Sequence, residues 1–169
     1  TLFPYTTLFR SGTALDQVLA RRLQDGDPGG DMRRALDAFP VREMADRIWN
    51  ELYIPGGKAP TVAYKKLPMP TRDAAKETLE LYIVSNFVEV WLAREGHDNP
   101  VGINYLEKLQ VPHLASIYGA MLADVDYVLM GAGDLSSAAV DGIQPAMVVR
   151  PGTAQEVAEV VRLAASERL

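Results

Sequence analysis

The chain has 169 residues, 48% hydrophobic and 23% charged, a balance that fits a folded domain and excludes collagen-like or disordered sequence. Seventeen basic residues against 22 acidic ones leave a net charge of −5, the wrong sign for a nucleic-acid footprint. The absence of cysteine removes disulfides, thiolate metal sites, iron–sulfur clusters and a Cys nucleophile, and the two histidines, His97 and His113, are too few for a His-rich metal centre. No apolar stretch approaches the roughly 18 unbroken residues of a spanning helix, and no basic-then-apolar leader opens the chain. The expectation is a cytoplasmic protein acting on a small molecule, with no membrane or nucleic-acid partner. Oligomeric state is not readable.

Residues 1–11, Thr1-Leu2-Phe3-Pro4-Tyr5-Thr6-Thr7-Leu8-Phe9-Arg10-Ser11, show neither helical nor strand periodicity. The run resembles the in-frame translation of a sequencing adapter and is set aside from fold reasoning. Leu15, Val18, Leu19 and Leu23 then fall at helical spacing, with Thr13 placed as the cap. Asp25-Gly26-Asp27-Pro28-Gly29-Gly30 is a breaker run without the spaced oxygens and closing Glu of an EF-hand, so it reads as a loop, and no metal site is expected. A second helix starts after Pro40 and carries Val41, Met44, Ala45, Ile48 and Trp49 on one face. Ile54 to Lys58 reads as a turn; its Gly56-Gly57-Lys58 lacks the GxxxxGK[ST] frame of a phosphate loop. Pro60 to Pro70 reads as an extended, proline-punctuated segment.

Leu81-Tyr82-Ile83-Val84 is a short apolar run suited to a buried strand. Phe87, Val90, Trp91 and Arg94 follow at helical spacing up to Gly96. Val101 to Tyr105 reads as a strand, and Leu114, Ile117, Tyr118, Met121 and Leu122 as the buried face of a helix. Val125 to Met130 reads as a further strand, ended by Gly131-Ala132-Gly133. Strands separated by helices predict βαβ units and a parallel sheet. Beyond Gly133, Pro145 to Pro151 brackets another strand, and Thr153 with Glu156 forms a capping box before the apolar stripe of Val157, Val160, Val161 and Ala164. That is one βα unit, and the pattern runs on to Leu169 as though the chain were open-ended.

The phrases Val101-Gly102-Ile103-Asn104-Tyr105-Leu106-Glu107-Lys108-Leu109-Gln110 and Ser116 to Gly133, with Leu23 to Leu36 and Asn86 to Asp98 upstream, resemble a bacterial branch of the nitronate monooxygenases, or 2-nitropropane dioxygenases. The resemblance covers Gly12 to Gly133. It implies an FMN-dependent (β/α)₈ TIM barrel that oxidises alkyl nitronates with O₂, the flavin supplying the chemistry and the protein positioning it. On that reading 12–133 is an incomplete barrel with an additional N-terminal helical region. Its site would lie at the C-terminal ends of the strands. The resemblance therefore places Asn104 at the flavin or substrate, with Ser85, Asn86, Gly131 and Gly133 at equivalent strand ends.

A whole barrel takes about 200–250 residues and holds phosphate in the loops after strands 7 and 8. Residues 12–133 supply three strands. No catalytic base can be assigned: His97 precedes the Gly-Ile-Asn strand, and His113 follows Pro112 on the way into a helix. Residues 134–169, from Val140 to Ala165, resemble the start of an FAD-binding domain of the glycolate oxidase and vanillyl-alcohol oxidase class, which implies FAD for that C-terminal βα unit. The expectation is a fragment of an FMN enzyme, inactive alone, joined near residues 131–134 to a foreign tail. The alternatives are a truncated FAD-linked oxidase and a non-catalytic α/β module that binds a partner through an exposed sheet edge.

Overall fold

Burial marks the centre of the sheet. Along Val101–Tyr105 (β2), Val101, Ile103 and Tyr105 are buried on one face, while on the other Gly102 is buried and Asn104 exposed, so the two faces are covered unequally. The structure is a computed structural model and describes residues 8–69, 71–106 and 109–130. β2 lies between Leu8–Ser11 (β1) and Tyr127–Met130 (β3), parallel to both. The register pairs Leu8 with Val101 and Gly102 with Tyr127. The helices are Leu15–Gln24 (α1), Asp31–Ala38 (α2), Arg42–Leu52 (α3), Lys76–Arg94 (α4) and His113–Leu122 (α5). Parallel strands linked through helices make the described chain a mixed α/β protein, as the pattern predicts. None of these helices is long and apolar enough to cross a membrane.

Four expectations are corrected. Leu8–Ser11 forms a strand where periodicity showed none, because four residues are too few for alternation to register. Ladder bonds are made by backbone groups that every non-proline residue carries, so a run of any origin can supply them.

The apolar run Leu81–Val84 is not a strand but part of α4. This 19-residue helix packs against α1, α2, α3, α5, β1 and β2. A helix enclosed on most sides is apolar on most sides, and four consecutive apolar residues then mimic a buried strand. Arg47 of α3 grips the buried Glu80 of α4 with two hydrogen bonds, Nε to Oε2 at 3.0 Å and Nη2 to Oε1 at 2.7 Å.

Thr13 does not cap α1; its Oγ1 instead accepts the Leu106 amide at 3.4 Å, tying the end of β1 to the end of β2. The breaker run before α2 carries a cap that the sequence reading passed over. Asp27 has a positive φ of 48° and is buried, and its two carboxylate oxygens accept the amides of Met32 and Arg33, each at 2.9 Å. Those are orphan donors of the first turn.

In α5 the tightest packing is made by small residues; Ile117, Met121 and Leu122 pack against the core as expected, and Leu114 and Tyr118 do not. His113, Ser116, Gly119 and Ala120 are buried, while Leu114 and Tyr118 are 70% and 54% exposed. A Cβ on Gly119 would collide with the Ile83 carbonyl of α4. Small residues let the two helix backbones approach closely, which turns Leu114 and Tyr118 outward.

Candidate functional site

The chain leaves β1 through Gly12 and enters α1 after Ala14, which holds a left-handed φ of 59°. Gly12 donates its amide to the Asn104 carbonyl at 2.7 Å, and a Cβ at position 12 would overlap the Tyr105 ring. Glycine is required there so that the aromatic ring can close over the turn. The ends of β1 and β2, the start of α1, the middle of α4 and the first turn of α5 thus converge. They enclose a cavity of about 30 Å³ lined by Asp16, Tyr82, Asn86, Tyr105, His113 and Ser116, with Gly12 to Leu15, Leu109 and Pro112 completing the wall.

Each of those six side chains belongs to a buried residue, and they differ in what they bond. The Tyr105 hydroxyl donates to Asn86 Oδ1 at 2.9 Å, and Asn86 Nδ2 donates to the Tyr82 carbonyl at 2.9 Å. His113 Nε2 lies 3.0 Å from the Leu106 carbonyl; a carbonyl only accepts, so Nε2 carries a proton, and in the neutral ring Nδ1 is the acceptor. Gln17 donates to Asp16 Oδ2 at 3.2 Å. Burial nonetheless dominates at Asp16 and raises its carboxyl above the ordinary 3.8. The Tyr82 phenol is pushed up to about 12, by burial first and by the Asp16 charge second. Burial raises the Tyr105 phenol as well. These groups lie at the carboxyl ends of parallel strands, where α/β folds place their ligands.

A larger groove of about 490 Å³ lies at the opposite end of the sheet, between Phe87, Trp91, Arg94, Leu122 and Asp124. Its Arg94 and Glu95 are already engaged. Arg94 binds Asp126 at 2.8 Å and the Asp124 carbonyl at 2.7 Å, and Glu95 binds Arg34 at 2.9 Å. We place the site at the smaller, polar cavity.

Of the residues expected from sequence, Asn104 sits near the end of β2 on the exposed face of the sheet, opposite the helices. Ser85 and Asn86 are not at a strand end. They lie within α4, 2% and 1% exposed, and Ser85 Oγ donates to the Tyr82 carbonyl at 3.2 Å. Asn86 lines the polar cavity; Asn104 does not. Gly131, Gly133 and the unit at 134–169 lie outside the described residues. An isoalloxazine ring is far larger than a 30 Å³ cavity, and the polar atoms of Ser85 and Asn86 are taken by internal bonds. Of the expected residues that the structure describes, Asn104 is the one exposed to solvent.

Asp16, Tyr82, Tyr105, His113 and Ser116 escaped the sequence reading as a group. They come from α1, α4, β2 and α5, so no local spacing joins them. The one usable signal was polar residues inside otherwise apolar helical or strand patterns. Comparison of the chain with protein-family models, curated proteins and solved structures yielded no match.

Proposed function

We propose that residues 12–133 carry the N-terminal part of an FMN-dependent nitronate monooxygenase, and that the 169-residue chain by itself is inactive. The observation that carries this reading is the disposition of β2. Its buried face meets the helices while Asn104 projects from the other face near the carboxyl end, the position from which a barrel strand reaches a ligand. Within 12–133, the parallel pair β2 and β3, joined through α5, is the kind of βαβ unit that a barrel would supply. When bound, FMN would take electrons from the nitronate and pass them to O₂. Asn104 would hydrogen-bond the ring or the nitro group, and further strands would hold the phosphate. The unit at 134–169 is read as the start of an FAD-linked oxidase domain.

The test compares two proteins. The 169-residue chain is expected to purify colourless and to leave FMN fluorescence unquenched on titration. The gene's uninterrupted reading frame, carrying the remaining strands, is expected to purify yellow and to consume O₂ with an alkyl nitronate. In that longer protein Asn104→Ala should weaken FMN or nitronate binding by about 0.5–1.5 kcal/mol without lowering Tm. A folded longer protein that holds no flavin, or that holds it and ignores nitronates, overturns the assignment. Stoichiometric FMN on the 169-residue chain overturns its description as an incomplete site.

A further inference from the structure

We propose that the cavity at the carboxyl ends of β1 and β2 is a built hydration site, holding one ordered water bound by Asp16, Tyr82, His113 and Ser116. The inference is independent of the flavin reading. Its first support is volume: about 30 Å³ is available, and one water needs about 10–15 Å³ together with two to four polar partners.

Its second support is unspent hydrogen-bonding capacity. Tyr82 and Ser116 are 6% and 3% exposed, and neither hydroxyl has a partner among the described residues, although Asn86, Tyr105 and the Nε2 of His113 beside them are bonded. No side-chain atom wholly cut off from solvent is left unbonded among the described residues, so these two hydroxyls keep some accessible surface, and both residues line the cavity. Buried hydroxyls are satisfied by protein or by water, and here protein supplies nothing.

Its third support is complementarity. Asp16 and the Nδ1 of His113 are acceptors, and the two hydroxyls can donate. A water offers two donors and two acceptors in return. An anion would meet the Asp16 carboxylate, an apolar molecule would leave all four groups unpaired, and anything with several heavy atoms exceeds the space. The bound water would bridge side chains of α1, α4 and α5 at the end of the sheet.

The experiment is water-selective NOE spectroscopy on the isotopically labelled 169-residue chain, read at the carbon-bound protons of Ser116 and His113. The expected result is NOEs of the sign given by a long-lived water in the wild type. They should be lost in Ser116→Val, whose extra methyl fills the space, and retained but weaker in Ser116→Ala. Absence of these NOEs in the folded wild type overturns the proposal, as does full intensity in Ser116→Val. Should Ser116→Val fail to fold, Tyr82→Phe takes its place: reduced NOEs support the site, and wild-type intensity overturns it.

Discussion

Replacing Tyr105 with Phe removes one oxygen and little else. The ring stays against the Gly12 turn and beside the His113 imidazole, 5.8 Å away between centroids. What disappears is the donor to Asn86 Oδ1, a 2.9 Å bond between residues 2% and 1% exposed. A buried acceptor left without its donor costs about 1–3 kcal/mol, so Tyr105→Phe should lower stability by about that amount. Asn86→Ala should cost more, since it also removes the bond to the Tyr82 carbonyl and leaves a void. The informative measurement is the double variant. Once Asn86 is gone, the Tyr105 hydroxyl is itself the orphan, and deleting it should be neutral or stabilising. Urea unfolding of the four proteins at constant m gives the coupling, expected at about 1–3 kcal/mol. Equal losses from Tyr105→Phe in both backgrounds would show that the bond does not form, and would free Asn86 for a ligand.

Asp27→Ala strips two amides of α2 of their acceptor and should cost about 0.5–2 kcal/mol, seen as a lower urea midpoint; a wild-type midpoint would refute the cap. Asp16→Asn tests the buried carboxyl. Because the folded value is raised above 3.8, the folded state favours the protonated acid, so its stabilising contribution is complete below 3.8 and is lost as pH rises through the folded value. The Asn variant should match the wild type in Tm at the acid end and exceed it at pH 7; an equal or lower Tm at pH 7 would contradict this. Gly119→Ala drives a methyl into the Ile83 carbonyl and should cost about 1–3 kcal/mol by overpacking α5 on α4, measured in the same unfolding assay.

Legibility followed the range of the interactions. α1, α3 and α5 could be read from helical spacing repeated over several residues, and β2 and β3 as short apolar runs between breakers. α4 was split into a strand and a helix because near-complete burial erases the polar face by which a helix declares itself. α2 escaped because its start is set by Asp27, which stands four residues before the first helical position and looks like loop punctuation. The outward turn of Leu114 and Tyr118 could not be foreseen, since it depends on what Gly119 meets on a different helix. At the cavity, Asn86 was singled out from the sequence, though as a strand end and not as part of a helix; Asn104 lies in the expected strand but does not line the cavity. The other cavity groups were not legible, because four separate elements bring them together.

The pairing of β1 with β2 has a consequence for synthesis. Leu8 and Val101 stand 93 positions apart, with α1 to α4 between them. At about 5–20 residues per second, a ribosome delivers β2 on the order of 5–20 s after β1. Through that interval the helices can assemble locally, whereas the backbone donors and acceptors of β1 have no strand beside them. A nascent chain arrested before Val101 would present that bare edge to any other unpaired strand. Translation speed across α4 thus sets how long β1 must wait, and slow codons there are expected to favour aggregation over assembly.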